Sequence, residues 1–328
     1  MTSGVRPPDD AAILEAAKIL RAGGLVVFPT ETVYGLGANA LDPNAVRRIF
    51  MAKGRPADNP VIVHVHDVAA AQHLVRAWPA LAQRLADAFW PGPLSLILPR
   101  ADVVPASISG GLDSVAIRIP RHPAAQALLR EANLPVAAPS ANKSGRPSPT
   151  RVQDAMADLG DKVQLYLDGG PTDVGVESTV VSLLGPKPVI LRPGGITREA
   201  IEAVVGPVDV PAPRGPTTDV VVSPGMKYRH YAPKAHLIVV DADRLHREWD
   251  KLRGHATKAH VIASKESRLA GVDVTTLASR NDGAAWARGL FSLLRDLDAK
   301  GVQVILVEAI PEKGLGVAVM NRLRKAAE

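Results

Sequence analysis

The sequence contains no cysteine, few aromatic residues and no long apolar run. Without cysteine, disulfides and thiolate catalysis are excluded, and a zinc site would need histidine and carboxylate ligands alone. Aromatic residues make up only 4% of the chain, so the apolar mass is aliphatic, which suits an α/β fold. No apolar stretch reaches membrane-spanning length, and the first residues lack the pattern of a secretory signal. We therefore expect a soluble, cytoplasmic protein with no membrane contact.

Several catalytic signatures are also missing. The sequence has no Walker A loop, no HExxH motif and no GxSxG motif, so conventional P-loop, zincin and hydrolase mechanisms have no support. The segment GLGANA at 35–40 matches the letters of a dinucleotide-binding fingerprint, but that fingerprint requires its first glycine directly after a strand. Here PTETVY at 29–34 intervenes. We interpret 35–37 as a glycine-rich turn, and we expect no tightly bound organic cofactor.

The length of 328 residues is more than one ordinary hydrophobic core supports, so two domains are expected. Six prolines fall within the 28 residues from 207 to 234, and such a stretch cannot carry continuous helix or an interior strand. We place a first domain at 1–207, a linker at 208–235 and a second domain at 236–328. The net charge of +6 is spread thinly, which permits nucleic-acid contact without requiring it.

The first domain mixes apolar strands and amphipathic helices with glycine-rich joins, which predicts an α/β fold with a twisted, mixed sheet. The second domain alternates strand and helix, which predicts a small, Rossmann-like doubly wound domain. Within the first domain the expected elements include strands at 25–28, 61–66, 94–98, 115–120 and 135–142, and one helix over about 67–89.

Basic and polar side chains follow two of the expected elements. Lys53 and Arg55 flank Gly54 in an expected loop, and Ser140 and Asn142 follow a buried strand. Apolar strands that end in polar, glycine-rich loops usually line a crevice at the carboxyl edge of a sheet. Cations combined with hydroxyl and amide donors would suit phosphate there. No activating base is recognisable around Ser140, so we assign it ligand hydrogen bonding and not nucleophilic attack.

Two expected strands carry polar residues that need partners. Arg118 lies within the apolar segment VAIRIP, and a buried guanidinium needs an anionic neighbour, either a structural carboxylate or a bound ligand. His64 and His66 share one face of their strand. Without a third clustered ligand they are better explained by hydrogen bonding than by metal binding, so no protein metal site is expected.

Taken together, these segments closely resemble the threonylcarbamoyl-AMP synthase family, which has the YrdC-like fold, in its long form with an added C-terminal domain. The resemblance covers nearly the whole chain, and its most specific part is the linker motif SPGMKYRHYAP. Ser95 stands where a threonine is common. The matching segments are PTETVYGLG (29–37), KGRPADNP (53–60), HVH (64–66), WPGPLSLIL (90–98), VAIRIPRHP (115–123), APSANKSGRPSPT (138–150), GVESTVV (175–181), ILRPGGIT (190–197), SPGMKYRHYAP (223–233) and GLGVAVMNRLRKAA (314–327).

The resemblance implies an enzyme that joins L-threonine, bicarbonate and ATP into threonylcarbamoyl-AMP and releases pyrophosphate. Magnesium is expected to arrive with the ATP. The product would pass to a separate threonylcarbamoyl transferase, which modifies the adenosine beside the anticodon of tRNAs that read ANN codons. Such a reaction needs alignment and charge stabilisation more than a protein nucleophile, which agrees with the lack of cysteine and of a catalytic triad.

The resemblance also implies roles for individual residues. A basic and polar tetrad around the phosphates and the carbamate would consist of Lys53, Arg55, Ser140 and Asn142. Threonine would be held by Thr32, His64, Arg118, Ala138 and Ser178, in a pocket that Thr30 and Tyr34 shape. ATP would contact Arg55, Asn59, Ser114, Ser140, Ser148, Arg192 and Tyr231.

The linker motif is expected to act as a lid. SPGMKYRHYAP at 223–233 is too aromatic and basic for a passive linker. We expect it to close over the ATP site and exclude water from a hydrolysable adenylate. Tyr231 would lie near the nucleotide, and Lys227, Arg229 or His230 would be available to the phosphates.

Two other functions are compatible with the same fold. One is a carbamoyl-phosphate-dependent carbamoyl-adenylating enzyme, as in hydrogenase maturation, but the acylphosphatase and zinc-finger modules of those proteins are missing here. The other is a non-enzymatic double-stranded RNA-binding protein, whose phosphate contacts should be spread over a surface. In this sequence the cations instead cluster with hydroxyl groups at strand ends. The mild positive charge still leaves room for a weak RNA contact.

Overall fold

The structure is a computed structural model of the 328-residue chain. It describes residues 4–56, 58–211, 230–253, 258–271 and 273–328. These residues form one sheet of ten strands and a second sheet of four strands. None of the described helices is long and apolar enough to cross a membrane.

The ten-stranded sheet is mixed, as the sequence predicts. Its strands are β1 (Gly4–Arg6), β2 (Val26–Phe28), β3 (Gly35–Asn39), β4 (Ile62–His64), β5 (Leu94–Pro99), β6 (Ser114–Arg118), β7 (Val136–Ala137), β8 (Leu165–Leu167), β9 (Thr179–Ser182) and β10 (Val189–Arg192). Their spatial order is β1-β8-β2-β3-β7-β4-β6-β5-β9-β10. Strand β4 runs parallel to β6 on one side and antiparallel to β7 on the other, so neighbouring strands end at both edges of the sheet.

Helices cover both faces of this sheet. They are α1 (Asp10–Arg21), α2 (Pro43–Lys53), α3 (Val68–Gln72), α4 (Ala80–Phe89), α5 (Ala106–Ser109), α6 (Pro123–Ala132), α7 (Val152–Leu159) and α8 (Arg198–Val205). Helix α1 begins after Asp9, whose carboxylate accepts a hydrogen bond from the amide of Ala12 at 2.7 Å and so caps the helix. Leu20 of α1 and Leu128 of α6 share one apolar cluster, and a second cluster contains Ile49 of α2.

The segment interpreted as a glycine-rich turn is strand β3. It pairs antiparallel with β2 and with β7. At Gly37 an added Cβ would lie 2.9 Å from the Phe28 ring and 3.0 Å from the side chain of Val136, so glycine allows neighbouring side chains to pack across the strand. The turn prediction was wrong because close packing, and not a bend of the backbone, requires glycine here.

Two other elements in the structure differ from those expected from the sequence. The helix expected over 67–89 is two helices, α3 and α4, because Pro79 immediately precedes α4 and has no amide to continue a helix. The strand expected over 135–142 is reduced to Val136–Ala137. The rest of that segment is irregular.

The second sheet is parallel throughout, in the order β11-β14-β12-β13, for β11 (His236–Val240), β12 (Ala259–Ser264), β13 (Val274–Ala278) and β14 (Val304–Glu308). Its helices are α9 (Leu245–Arg253), α10 (Gly283–Ala299) and α11 (Gly316–Ala327). Trp249 of α9 lies in the apolar cluster of one face with Val261. Phe291 of α10 lies in the cluster of the other face with Ile305. Helices on both faces of a parallel sheet make a doubly wound fold, so this prediction is confirmed.

The two domains share an apolar cluster. Val33 and Val176 of the first domain are buried in the same cluster as Ala287 and Phe291 of α10. The backbones also approach closely, because a Cβ at Gly175 would lie 2.3 Å from the carbonyl oxygen of Ala287. The second domain is therefore packed directly against the first.

The linker expected at 208–235 is described only in part. Residues 212–229 lie outside the described ranges, and with them most of the SPGMKYRHYAP motif, including Lys227 and Arg229. Residues 230–233, at the end of the motif, are described and lead into β11. The division at 1–207, 208–235 and 236–328 stays a prediction.

Candidate functional site

A cavity lies among the central strands of the ten-stranded sheet. It has about 730 Å³ of empty volume, part of it open to solvent. Its walls come from β4 and β6, from the segments that follow β2 and β7, and from the segment that precedes β9. Residues at or directly after the carboxyl ends of β2, β4, β6 and β7 line the cavity, as expected. Because β7 runs antiparallel to β4, these ends do not all lie at one edge of the sheet.

Most of the residues expected to act on threonine or ATP line this cavity. They are distant in sequence, and the sheet brings them together. The expected residues in the wall are Thr30, Thr32, Lys53, Arg55, His64, Arg118, Ala138, Ser140, Asn142, Ser148, Ser178, Arg192 and Tyr231. The role of each one stays a prediction.

Three expected residues lie outside the cavity wall. Tyr34 is fully buried, and its hydroxyl donates to the carbonyl oxygen of Gly170 at 2.7 Å. Ser114 is buried at the first position of β6, whereas Arg118 at the last position reaches the cavity. Asn59 is buried too, and its side-chain amide has no hydrogen-bond partner among the described residues.

Lys53 ties α2 to the loop that follows β7. It is the last residue of α2, and not a loop residue as expected, since the left-handed Gly54 ends the helix after it. Its ammonium donates hydrogen bonds to the main-chain carbonyl oxygens of Ser140 and Asn142. Burial holds the pKa of Lys53 well below its ordinary value, and the charge of Arg55 adds to this effect. Lys53 therefore fixes the polar loop beside a second cation.

The side-chain amide of Asn142 has a fixed orientation. It donates to the carbonyl oxygens of Lys143 at 2.7 Å and of Arg146 at 2.9 Å. Its own oxygen, Oδ1, is buried without a hydrogen-bond partner among the described residues. Arg55 is held by the main chain, since Nη2 donates to the carbonyl oxygen of Pro60 at 2.9 Å. The cations beside this loop suit an anionic ligand, whereas the unpartnered Oδ1 of Asn142 can only accept a hydrogen bond from a donor group.

Arg118 has a structural carboxylate as its partner. Its Nη2 lies 2.8 Å from Oε1 of Glu31, an ion pair without the alignment of a hydrogen bond, and its Nη1 donates to Oγ1 of Thr32 at 2.9 Å. Burial would raise the pKa of Glu31, but the guanidinium and the hydrogen bonds outweigh burial and hold the pKa below its ordinary value. Of the two anionic neighbours that the sequence allowed for Arg118, the structure contains the carboxylate.

The two candidate histidines have different surroundings. His64 is buried in the cavity wall, with its ring edge-on to Phe28 at a centroid distance of 6.2 Å. Burial and the charge of Arg118 lower the pKa of His64 to about 3, so its imidazole is neutral at about pH 7. His66 lies outside the wall and its Nε2 is 3.1 Å from the carboxylate of Asp67. Within the described ranges, no group of three His, Asp or Glu side chains could hold a metal ion.

Ser178 and Arg192 form a hydrogen-bonded unit in the wall. Arg192 Nη2 donates to the main-chain oxygen of Ser178 at 2.9 Å and to its Oγ at 3.1 Å. The Oγ atoms of Ser178 and Ser95 lie 2.8 Å apart. The serine at 95 thus supplies the hydroxyl that a threonine would supply, which orients Ser178 towards the cavity.

Sequence analysis missed two charged residues of the wall, Arg146 and Glu177. Arg146 follows the polar loop and forms an ion pair with the buried Asp158. Glu177 accepts a hydrogen bond from the hydroxyl of Ser148 at 2.5 Å. The signal for Glu177 was its place directly before Ser178, but a carboxylate at the start of a strand is uninformative until its neighbours are known.

The charge of the wall is strongly biased. Its described residues include five cationic side chains and a single carboxylate, that of Glu177. The cations are Lys53, Arg55, Arg118, Arg146 and Arg192. An excess of positive charge in a partly enclosed site concentrates and holds anionic ligands.

Comparison with known protein families gives two matches that together span most of the chain. Residues 18–194 match the family model described as Telomere recombination. Residues 196–328 match the model described as Threonylcarbamoyl-AMP synthase, C-terminal domain.

Individual relatives match over nearly their full length. Threonylcarbamoyl-AMP synthase of Pyrococcus abyssi is 50% identical over 320 residues, which cover 95% of this chain and 93% of the relative. The protein of the same name from Bacillus subtilis is 45% identical, with 97% and 94% covered. The crystal structure of P. abyssi Sua5 complexed with L-threonine has a TM-score of 0.92 at 47% identity, and the match covers 99% of this chain and 97% of that chain.

Proposed function

The chain belongs to the threonylcarbamoyl-AMP synthase family, and we propose that its central cavity joins L-threonine, bicarbonate and ATP into threonylcarbamoyl-AMP. The observation that carries this proposal is the charge of the wall, with five cations and one carboxylate. The carboxylate of threonine, bicarbonate and the triphosphate are all anionic. They repel one another unless cations lie between them.

The reaction has two bond-forming steps. The amine of threonine attacks the carbon of bicarbonate, and loss of water leaves a carbamate. A carbamate oxygen then attacks the α-phosphorus of ATP, and pyrophosphate leaves. Both steps bring anions together, so alignment and electrostatic stabilisation are what the protein has to supply.

We place threonine at the end of the cavity formed by Thr32, His64, Arg118, Ala138 and Ser178. Its carboxylate would accept hydrogen bonds from the guanidinium of Arg118, which Glu31 and Thr32 hold in place. The neutral His64 can hydrogen bond to the ligand without adding charge. The hydroxyl of Ser178 would meet a polar group of the ligand.

We place the phosphates at the other end. Lys53, Arg55, Ser140 and Asn142 would surround the α-phosphate and the carbamate, since the two cations suit anionic oxygens and the unpartnered Oδ1 of Asn142 suits a donor such as the carbamate N–H. The rest of the nucleotide would contact the wall at Ser148, Arg192 and Tyr231. Asn59 and Ser114 lie outside the wall, so any effect on ATP would pass through their neighbours.

We also propose that Mg²⁺ binds with the nucleotide. Glu177 is the one carboxylate among the described wall residues, and it already accepts hydrogen bonds from Ser148 and Arg322. The wall therefore fits a cation held mainly by phosphate oxygens and water, which is how Mg²⁺ commonly accompanies ATP. When bound, the ion would neutralise charge on the phosphates.

Two further proposals concern what happens around the site. The product is a reactive mixed anhydride, so we propose that a separate threonylcarbamoyl transferase takes it over for tRNA modification. The lid formed by 223–233 would protect it from water until then. His230 and Tyr231 line the cavity, which supports a lid at this end, while 223–229 lie outside the described residues.

Pyrophosphate release from ATP tests the function directly. We expect release only when threonine and bicarbonate are both present. Release that needs carbamoyl phosphate would favour the hydrogenase-maturation type of chemistry, and RNA affinity without turnover would favour a binding protein.

Arg118→Lys tests the threonine end. Lysine cannot make the same planar, two-pronged contact with a carboxylate, so we expect KM for threonine to rise about 10- to 100-fold with little change in KM for ATP. Arg121→Lys, an exposed arginine three residues away, is the matched control and should keep the wild-type KM. Equal effects of both variants would remove Arg118 from the threonine site.

A further inference from the structure

The second domain reaches the nucleotide end of the cavity through a buried arginine. Arg322 of α11 has no exposed surface, and its Nε donates to Oε2 of Glu177 at 2.9 Å. The other oxygen of Glu177 accepts the hydrogen bond from Ser148. We infer that Arg322 is a positioning residue for the nucleotide, an inference that rests on the proposed function. It acts through Glu177 and Tyr231, without touching substrate itself.

Arg322 balances a negative charge in the cavity wall. Glu177 is the carboxylate of a wall that would receive a triphosphate. Burial would raise the pKa of Glu177, but Arg322, and then Arg192, outweigh burial and hold the pKa below its ordinary value. An ionised Glu177 without Arg322 would repel the phosphates, since low-dielectric surroundings strengthen the interaction. Arg322 therefore keeps the wall positive.

Arg322 also contacts Tyr231, another residue of the cavity wall. The guanidinium carbon of Arg322 lies 5.3 Å from the centre of the Tyr231 ring, and Phe291 of α10 stacks on the same ring at 5.5 Å. Tyr231 has a φ of +64°, a conformation that a bulky residue keeps only when its surroundings fix it. Two side chains of the second domain thus hold an aromatic residue of the cavity wall in a strained conformation.

The third contact is to the backbone beside Arg192. Nη1 of Arg322 donates to the carbonyl oxygen of Pro193 at 2.7 Å. Arg322 therefore contacts Tyr231 and the segment that carries Arg192, and it reaches Ser148 through Glu177. These are the residues that we place around the nucleotide, so one side chain sets the geometry of that end.

A second buried arginine, Arg295, joins the two domains without contacting a carboxylate of the cavity wall. Arg295 of α10 donates to the carbonyl oxygen of Pro147 at 3.0 Å and pairs with Asp158 at 2.8 Å. Asp158 does not belong to the cavity wall. Arg295 thus joins the domains, whereas Arg322 also neutralises a carboxylate of the wall.

The test compares Arg322→Met with Arg324→Met. Arg324 lies two residues further along α11 and forms an exposed ion pair with Glu312, so it controls for loss of an arginine from this helix. For Arg322→Met we expect KM for ATP, and the dissociation constant of a non-hydrolysable ATP analogue, to rise at least about 30-fold. KM for threonine should stay within about threefold, because none of the contacts of Arg322 is to a residue that we place around threonine. Arg324→Met should match the wild type.

A second substitution, at Glu177, separates the effect of lost charge from the effect of lost packing in Arg322→Met. In Arg322→Met/Glu177→Gln the carboxylate is gone while the Ser148 hydroxyl keeps an acceptor, so ATP affinity should return to within about fivefold of Glu177→Gln alone. A double variant no better than Arg322→Met, or an equal rise in KM for threonine, overturns the inference. If Arg322→Met does not fold, the neutral Arg322→Gln takes its place, and Glu177→Gln should again reverse the rise in KM for ATP. Analogue binding is measured without turnover, so a wild type that binds ATP but makes no adenylate refutes the proposed reaction and leaves this test intact.

Discussion

Arg118 of the cavity wall and Glu31 form a buried ion pair, with Nη2 and Oε1 2.8 Å apart. Their side chains are only 4% and 1% exposed. A buried guanidinium without a counter-charge is strongly unfavourable, so Glu31 stabilises Arg118 in its buried position. Thr32 and the backbone at Gly92 accept further hydrogen bonds from the same guanidinium. The result is a cation held in a fixed orientation before substrate arrives.

Replacing Glu31 by glutamine should therefore destabilise the protein. Removal of one partner from a buried pair typically costs about 3–5 kcal/mol in the free energy of unfolding, and denaturant titration measures it. Glu15→Gln is the control, because Glu15 pairs with Arg6 at the surface, where such a pair contributes about 1 kcal/mol or less. A loss for Glu31→Gln no larger than that of the control would mean that Arg118 is stabilised in another way.

Replacing Lys53 by methionine should disable the polar loop. The variant loses both hydrogen bonds to the carbonyl oxygens of Ser140 and Asn142, and the cavity loses a cation. We expect the rate of pyrophosphate release to fall by at least about 100-fold, the usual effect of removing an electrostatic donor from an active site. Lys143→Met removes an exposed lysine nearby and should have little effect. Near wild-type turnover of the Lys53 variant would exclude Lys53 from the reaction.

His64 should make stability depend on pH in the acid range. Its pKa is about 3 in the folded protein and about 6.5 when unfolded, so between these values the unfolded chain binds more protons. The free energy of unfolding should fall as pH drops below about 6.5, by about 1.4 kcal/mol per pH unit from this residue. Above that pH the residue contributes no slope.

The variant His64→Gln isolates this contribution. Its unfolding free energy, measured between about pH 6 and 4, should fall less steeply with decreasing pH than that of the wild type. His66→Gln, at an imidazole outside the cavity wall, controls for the substitution. Identical slopes for His64→Gln and the wild type would show that His64 is not kept neutral by burial.

Gly37→Ala should destabilise the sheet. The added Cβ would meet the Phe28 ring and Val136 at about 3 Å, and overpacking of a core typically costs about 1–3 kcal/mol. Gly185→Ala is the control, because a Cβ there meets nothing within 4 Å. Thermal unfolding of the two variants compares them. Equal stability would mean that β3 shifts to accept the methyl group.

Sequence periodicity predicted the elements whose signals are local. The doubly wound second domain was predicted correctly because its strands and helices alternate regularly and each buries one clear face. The helix over 67–89 was wrong at Pro79, where a residue without an amide ends the pattern. Strand β3 was missed because two glycines in five residues weaken every local strand signal.

In the candidate site, too, local signals were predictable and long-range contacts were not. Residue types and the resemblance to a family indicated most, but not all, of the polar residues that line the cavity. The partners of those residues were not predictable, because Glu31 and Arg118 are 87 residues apart and Glu177 and Arg322 are 145 apart. An arginine on an amphipathic helix is typical of a solvated face, so no role was assigned to Arg322.

The sequence by itself determined the chemistry of this protein, which has no thiol, no triad and a set of cations, hydroxyls and amides suited to anionic substrates. Those properties belong to the side chains and need no coordinates. Only the tertiary structure decided where the cavity lies, which carboxylates pair with the buried Arg118, Arg295 and Arg322, and that Arg322 of the second domain reaches Glu177 in the cavity wall. These features depend on close packing and on low-dielectric pairing between distant segments, which no local pattern of residues specifies.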